Sequence, residues 1–135
     1  MRGARLGREH GRDADGDARA GIAAGAGPWR ACLAHGLRWW HLPTVDGGIP
    51  DHRFEHGWIR AGEDLRRRLV AGEGILIHCR GGLGRTGIVA ARLLVEFGEE
   101  PESALFRVRR ARTGTVENWL QEEYVRDLLE VQGIF

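Results

Sequence analysis

Lysine is absent from this 135-residue chain, and all twenty of its basic residues are arginine. Without lysine there is no Walker-type phosphate loop, which requires a Gly-Lys-Ser/Thr sequence, and no Schiff base with a carbonyl substrate. A charge excess is missing as well, because twenty basic residues face nineteen acidic ones and leave a net charge of +1. Proteins that bind nucleic acids or anionic membranes carry a strong basic excess. We therefore expect neither nucleic acid nor a membrane among the partners.

Cysteine is scarce, with Cys32 and Cys79 as the two examples, and no apolar run approaches the roughly 18 residues of a membrane span. Two cysteines cannot form a disulfide framework, so the chain is expected to work in the reducing cytoplasm. The composition, 42% hydrophobic and 29% charged, is typical of one compact domain with its own core. These features predict no particular oligomeric state.

Large apolar residues are nearly missing from residues 1–28, and half of this segment is glycine or alanine. No β-branched or alternating run occurs there, so no strand is predicted. A segment of this composition buries too little surface to offset its chain entropy. We predict a low-complexity, disordered tail over residues 1–28 and one folded domain over residues 29–135.

The folded domain alternates short apolar runs with helical patterns. Residues 37–42 are bulky and predict a strand, and residues 75–77 form an apolar run between glycines that predicts a buried strand. Apolar residues spaced by three and four predict a helix after Asp51. Further helices are predicted from Thr86, from Pro101 and from near Thr115. The fold class is therefore α/β, with a small, mostly parallel sheet flanked by helices.

One segment, residues 78–87 with the sequence HCRGGLGRTG, carries the chemistry. It lies where the buried strand gives way to a helix, and the backbone amides at a helix start attract an anion. Glycines allow the N–H groups of the loop to converge on a tetrahedral oxyanion, and Arg85 can hold two of its oxygens. The predicted phosphate-binding residues are Arg80, Gly81, Gly82, Leu83, Gly84 and Arg85.

Cys79 follows the buried strand directly and would lie beneath the phosphate pocket. A thiol is mostly protonated at neutral pH, because its ordinary pKa is about 8.5, but a helix N-terminus and nearby cations can lower a thiol pKa to roughly 3.5–7.5. The same dipoles that hold phosphate therefore favour a thiolate nucleophile. A purely structural glycine turn needs neither this thiol nor Arg85.

The segment resembles the His-Cys-x5-Arg-Ser/Thr signature of the cysteine-dependent protein tyrosine phosphatases. Together with residues 40–51, WHLPTVDGGIPD, it is similar to the compact dual-specificity branch, especially the kinase-associated phosphatases. The resemblance covers residues 31–135. It implies a phosphatase-like fold, and N-terminal strands that relatives carry would be missing here because residues 1–28 predict none.

The resemblance also implies a role for individual residues. Cys79 would attack phosphorus to form a cysteinyl-phosphate, while Arg85 would hold the phosphate oxygens. Asp46, at the matching position in the family, would protonate the leaving oxygen and then activate water. Thr86 would donate its hydroxyl to the sulfur, and His78 would hold the loop and help to set the pKa of the thiol. No metal or other cofactor is implied.

The expected function is a protein phosphatase that acts on a phosphoprotein or phosphopeptide at phosphotyrosine, and also at phosphoserine or phosphothreonine. A lipid or small-molecule phosphomonoesterase is one alternative. It is disfavoured because inositol-lipid phosphatases resemble this loop but carry a second basic residue where Leu83 stands. A phosphate-binding module without turnover is the other alternative, although pure binding would need neither a thiol nor an acid such as Asp46.

Three further side chains have two interpretations each. Asp51 is the rival of Asp46 as the acid, but its position before a helix favours an N-cap. Cys32 could protect the nucleophile through a reversible disulfide, although an ordinary buried thiol is the stronger interpretation. Residues 114–117 and Gln121 lie where related enzymes carry a glutamine-containing segment beside the active site, but a solvent-facing helix position is expected for Gln121.

Residues 52–56, HRFEH, form a literal His-x-x-Glu-His zinc-peptidase motif. On a helix, His52 and His56 would lie on one face, and Glu55 would act as the base. The motif opens a short helix directly after a proline, and the sequence indicates no third ligand. No metal site is therefore predicted, and the apolar residues of this helix are expected to form core.

Overall fold

The computed structural model describes residues 4–7, 28–79 and 83–132. These residues form three short strands and five helices. In chain order the elements are β1 (Ala4–Gly7), α1 (Pro28–Ala34), β2 (Arg38–His41), α2 (His52–Val70), β3 (Ile75–His78), α3 (Gly84–Glu96), α4 (Pro101–Ala111) and α5 (Trp119–Arg126). None of these helices is long and apolar enough to cross a bilayer.

The three strands are parallel, and their order, β2–β1–β3, places β1 in the centre. Gly7 of β1 lies level with His41 of β2 on one side and with His78 of β3 on the other. Neighbouring strands lie about 4.8 Å apart, so β2 and β3 end about 10 Å from each other. The segments that follow these two strands therefore leave from the same edge of the sheet, where parallel α/β proteins build their sites.

The prediction that residues 1–28 contain no strand is wrong for Ala4–Gly7, which forms the central strand. A four-residue strand that pairs on both sides is specified largely by its neighbours, because strand propensity depends strongly on context. Nothing in a pattern as short as Ala-Arg-Leu-Gly indicates such a strand. Residues 1–3 and 8–27 of the predicted tail lie outside the described residues, so their disorder stays a prediction.

Helix α2 begins where the sequence predicts it, because Asp51 caps its N-terminus. The Oδ1 atom of Asp51 accepts a hydrogen bond from the backbone N–H of Phe54 at 3.0 Å. This bond holds the pKa of Asp51 below its ordinary value. Arg67 and Arg68 lie in the last turn of α2, where the helix dipole favours positively charged side chains.

Two hydrophobic clusters hold the helices in place. The first packs the sheet against α2 and α3, and the second joins α3, α4 and α5. Burial of each large side chain contributes about 1.5–3 kcal/mol, so the clusters fix α3 on both of its sides. The first cluster comprises Leu42, Phe54, Trp58, Ala61, Leu65, Val89 and Leu93, and the second comprises Ala91, Val95, Ala104, Leu105, Val108, Val116 and Val125.

A buried carboxylate fixes α3 against α2. Glu96 of α3 is buried, and its carboxylate accepts hydrogen bonds from Trp58 Nε1 at 2.8 Å and from Arg66 Nη1 at 3.2 Å. Arg92, one turn earlier on α3, adds an ion pair to the same carboxylate. A buried carboxylate without such donors would destabilise the fold, so these contacts hold the two helices in one relative position.

Asp64 joins α2 to β2 in a similar way. Its carboxylate accepts hydrogen bonds from Trp40 Nε1 at 2.8 Å and from Arg68 and Arg67 at 3.0 Å each. Burial alone would raise the pKa of Asp64, but these three donors outweigh burial and hold the pKa below its ordinary value. Asp64 therefore links β2, which precedes the candidate site in the chain, to α2, which follows the site.

Two helices differ from the sequence-based predictions. No helix is predicted at Pro28–Ala34, where the structure has α1. The last helix begins at Trp119 instead of near Thr115, because Asn118 is its N-cap. Thr115 and Val116 form a buried turn before this helix, and Val116 has a φ of +59°.

Candidate active site

Two loops leave the same edge of the sheet and form the candidate site. The first, which we call the acid loop, comprises residues 42–50 between β2 and α2 and contains Asp46. The second, which we call the phosphate loop, comprises residues 79–83 between β3 and α3 and begins with Cys79. Because β2 and β3 are parallel and end at the same level, the topology alone brings the two loops together.

Cys79 is linked to the first turn of α3. Its Sγ atom accepts a hydrogen bond from Thr86 Oγ1, 3.0 Å away. The N-terminus of a helix carries a partial positive charge, so the sulfur lies where a thiolate is stabilised. Thr86, which the sequence predicts to donate to the sulfur of Cys79, is therefore in contact with that sulfur.

Arg85 is buried, with 2% of its surface exposed, although its guanidinium is always charged. Its Nη1 donates to the backbone carbonyl oxygen of Thr44 at 3.3 Å, and its Nη2 lies 3.6 Å from Asp46 Oδ1. Both partners belong to the acid loop. A buried cation requires such partners because desolvation of an unpaired charge is strongly unfavourable, so Arg85 joins the acid loop to α3.

Asp46 is held near the tip of a β-turn. The N–H of Gly48 donates to the carbonyl oxygen of Val45 at 3.0 Å, and Gly47 has a φ of +71°. A type II turn requires a positive φ at its third residue, which glycine adopts without steric strain. The sequence Val-Asp-Gly-Gly therefore forms the turn that places Asp46 beside Arg85.

Two amide side chains at the start of α5 hold the acid loop. Asn118 Nδ2 donates to the carbonyl oxygen of Gly47 at 2.9 Å, and Gln121 Nε2 donates to that of Gly48 at 3.1 Å. Gln121 is completely buried, so the prediction of a solvent-facing position is wrong. The N–H of Gln121 donates to Asn118 Oδ1, and this capping bond orients the first turn of α5. The Asn-x-x-Gln spacing is the sequence signal that could have indicated this cap.

The residues before α5 also approach the phosphate loop. Glu117 Oε1 accepts a hydrogen bond from the N–H of Gly84 at 3.2 Å, and the N–H of Val116 donates to the carbonyl oxygen of Leu83 at 3.4 Å. A Cβ atom on Gly84 would lie 2.9 Å from the side chains of Gln121 and Glu117, so a larger residue here would displace these two side chains. Glu117 belongs to the segment that the resemblance places beside the active site, but no residue pattern indicates its contact with Gly84.

Comparison with known proteins decides the family. Residues 38–126, more than half of the chain, match the family model described as "PTP-SAK: Swiss Army Knife protein, DSP-PTPase phosphatase domain". The matched range contains Asp46, Cys79 and Arg85. The chain belongs to this family. The resemblance to dual-specificity phosphatases that the sequence motifs indicate is therefore confirmed.

Relatives of this DSP-PTPase domain are larger proteins. It is 34% identical over 95 residues to the Dictyostelium discoideum protein named "Probable protein tyrosine phosphatase type IVA A", and the match covers 70% of this chain and 55% of that protein. The chain spans about half the length of the curated relatives it matches.

Solved structures share the fold of the DSP-PTPase domain. Tk-PTP in its active form matches with a TM-score of 0.70 and 26% identity, over 93% of this chain and 76% of the other. The kinase associated phosphatase KAP, with serine in place of its catalytic site cysteine, matches with a TM-score of 0.67 and 26% identity, over 93% and 66% of the two chains. The predicted phosphatase-like fold is therefore confirmed.

The remaining predicted site residues are partly described. His78 ends β3, and its ring lies 5.4 Å from the ring of Trp39 on β2. Leu83 precedes α3, and its carbonyl oxygen accepts the first hydrogen bond of that helix. Arg80, Gly81 and Gly82 lie outside the described residues, so their contacts with phosphate stay predictions.

The zinc-peptidase motif serves helix packing. The Glu55 carboxylate accepts hydrogen bonds from Arg92 Nη1 at 2.8 Å and from the Tyr124 hydroxyl at 2.6 Å, while His52 and His56 are exposed. Throughout residues 28–79 and 83–132, no group of three or more His, Cys, Asp or Glu side chains is arranged to hold a metal ion. Glu55 thus links α2 to α3 and α5.

Asp51 and Cys32 have the surroundings that their structural interpretations predict. The Asp51 carboxylate caps α2 and lies 3.9 Å from Arg53, whereas Asp46 is the carboxylate beside Arg85. Cys32 is buried in α1, as an ordinary core thiol would be. The reversible disulfide of Cys32 stays the weaker alternative.

Replacement of Thr86 by alanine should slow the alkylation of Cys79 at neutral pH by about threefold to tenfold. A hydrogen bond to a charged group contributes about 1.5–3 kcal/mol, and water replaces part of it after the substitution. Iodoacetamide labelling followed by peptide mapping measures the rate at Cys79 alone. Thr86→Ser keeps the hydroxyl and should keep the rate, and an unchanged rate in Thr86→Ala would contradict the role of this contact.

Proposed function

We propose that this DSP-PTPase domain hydrolyses phosphomonoesters on proteins, with phosphotyrosine as the main substrate and phosphoserine and phosphothreonine as further substrates. The observation that carries the proposal is the 3.0 Å contact between Thr86 Oγ1 and Cys79 Sγ at the start of the helix that also bears the buried Arg85. A hydroxyl that donates to the sulfur stabilises a thiolate, and Arg85 is suited to the oxygens of a phosphate.

In the first step, the Cys79 thiolate attacks phosphorus in line with the leaving oxygen. The S–P bond forms as the P–O ester bond breaks. Arg85 and the N-terminus of α3 stabilise the charge on the three remaining oxygens. Protonated Asp46 gives its proton to the leaving oxygen, so the phenol or alcohol departs neutral.

The second step hydrolyses the cysteinyl-phosphate. Asp46, now a carboxylate, takes a proton from water while the water oxygen bonds to phosphorus and the S–P bond breaks. The Thr86 hydroxyl donates to the departing sulfur and lowers the energy of the thiolate. The products are inorganic phosphate and the starting enzyme, with Asp46 protonated again.

Two observations support a protein substrate over a lipid. The name of the Dictyostelium relative contains "protein tyrosine phosphatase". Leu83 stands where an inositol-lipid phosphatase loop would carry a second basic residue, so one cation that a polyphosphorylated headgroup needs is absent from that position. We place the activity in the cytoplasm, because Cys79 must stay reduced to act as a nucleophile.

The substitution Cys79→Ser should abolish phosphate release from a phosphotyrosyl peptide, because a serine hydroxyl is not ionised at neutral pH. A chelator should leave wild-type turnover unchanged, and Cys32→Ala, the matched control, should keep the activity under reducing conditions.

Three results would contradict the proposal in different ways. Turnover that survives Cys79→Ser would remove the nucleophile, and turnover that the chelator abolishes would favour a metal-dependent hydrolase. A wild-type protein that binds the peptide without releasing phosphate would favour the phosphate-binding module.

The substitution Asp46→Asn should lower kcat by about a hundredfold or more for an alkyl phosphate, and much less for an activated aryl phosphate. General acid catalysis contributes about 10²–10⁴-fold and matters most when the leaving group is a poor one.

Steady-state kinetics with the two substrates measure this difference in kcat. Asp51→Asn is the matched control, because asparagine also caps helices well and should preserve α2. Equal losses on the two substrates in Asp46→Asn, or a leaving-group effect confined to Asp51→Asn, would contradict the assignment of Asp46.

A further inference from the structure

Gln121 is a fully buried polar residue that joins two separate backbone segments. Its Oε1 accepts a hydrogen bond from the N–H of Glu117 at 2.7 Å, and its Nε2 donates to the carbonyl oxygen of Gly48 at 3.1 Å. The oxygen of the side-chain amide therefore bonds a residue shortly before α5, and the nitrogen bonds the acid loop. A buried amide with partners at both ends keeps its orientation, because an unpaired end would be destabilising.

Asn118 makes a second connection beside the first. Its Nδ2 donates to the carbonyl oxygen of Gly47 at 2.9 Å, while its Oδ1 accepts from the N–H of Gln121 at 3.0 Å and caps α5. The backbone carbonyl groups of Gly47 and Gly48, which follow Asp46 in the chain, therefore both accept hydrogen bonds from α5 and its N-cap. These are the residues that complete the turn on which Asp46 stands.

The opposite side of this segment is tied to the phosphate loop. We call residues 116–121 the brace segment, because its backbone and side chains reach both loops. Glu117 accepts a hydrogen bond from the N–H of Gly84 at 3.2 Å, and Val116 donates to Leu83 at 3.4 Å. The brace segment therefore links the acid loop to the start of α3 without contacting Cys79 through any of these bonds.

The contact between the Asp46 carboxylate and Arg85 of α3 is weaker than these bonds. Asp46 Oδ1 lies 3.6 Å from Arg85 Nη2, which is longer than a hydrogen bond, and the Asp46 side chain is half exposed. A phosphate that binds Arg85 would compete for the same guanidinium. The hydrogen bonds from Asn118 and Gln121 would persist when that happens, because they hold backbone carbonyl groups and not the Asp46 carboxylate.

We propose that Gln121 and Asn118 are positioning residues for the general acid, which hold the acid loop over the pocket so that Asp46 reaches the leaving oxygen. This inference rests on the proposed function. Misplacement of a catalytic group by about 1 Å can lower a rate by about a hundredfold. Loss of either amide contact should therefore affect the steps that use Asp46 and leave the reactivity of the Cys79 thiolate unchanged.

Two substitutions test the proposal. Gln121→Met keeps the length of the side chain but removes both amide groups. Asn118→Asp keeps an oxygen that caps α5 and removes the donor to Gly47, so it preserves the helix while it releases the acid loop. Glu123→Gln on the exposed face of α5, where Glu123 pairs with Arg126, is the matched control.

The readouts are kcat for an alkyl phosphate, kcat for an activated aryl phosphate, and the alkylation rate of Cys79. We expect kcat for the alkyl phosphate to fall about tenfold to a hundredfold, and kcat for the aryl phosphate to fall less than about threefold. The alkylation rate should not change. Glu123→Gln should match wild type in every readout.

Equal losses on the two phosphates, or no loss in Asn118→Asp, would overturn the positioning role. If Gln121→Met does not fold, Asn118→Asp decides the outcome, because its cap is retained. Cys79→Ser assayed in parallel separates the two claims. If that variant stays active, the proposed function fails, and if it is inactive while the losses are equal, the positioning role alone fails.

Discussion

The buried guanidinium of Arg85 is the group on which the rest of the site depends. It lies in the first turn of α3, next to the residue that donates to Cys79, and two of its partners come from the acid loop. A cation held away from water must find anionic or polar partners. In the structure the Thr44 carbonyl and the Asp46 carboxylate supply them, and the same guanidinium suits a phosphate. In the proposed mechanism, Arg85 therefore couples phosphate binding to the position of the acid.

The sheet explains why so few residues suffice to build this arrangement. Strands β2 and β3 run parallel on either side of β1, so the loops that follow them start at one edge. The two hydrophobic clusters and the Glu96 contacts then fix α3, which carries both Thr86 and Arg85. Rigid elements thus set the distance between the sulfur and the guanidinium, while the acid loop depends on side-chain hydrogen bonds from α5.

Residues whose role is local could be predicted from the sequence. Cys79 and Arg85 belong to one ten-residue segment, and Asp51 precedes an obvious helical pattern, so each has its signal nearby. For Gln121, the nearby Asn-x-x-Gln spacing indicates only the helix cap, because its partner on the acid loop, the carbonyl oxygen of Gly48, lies 73 positions away.

Strand β1 was missed for a related reason. Its four residues gain their structure from pairing with strands on both sides, and this pairing is visible only in the assembled sheet. The same holds for Glu117, which reaches Gly84 across 33 positions. Pairing and burial between distant segments are set by the fold as a whole, so a local pattern does not reveal them.

The central claim is that the sulfur of Cys79 receives the phosphoryl group. The most direct measurement mixes the wild-type protein with a phosphotyrosyl peptide, stops the reaction with acid in the first turnover, and maps the peptides by mass spectrometry. The account predicts the added mass of one phosphoryl group on the peptide that contains Cys79, absent from Cys79→Ser. A phosphoryl group on another residue, or rapid phosphate release without any phosphorylated enzyme, would contradict it.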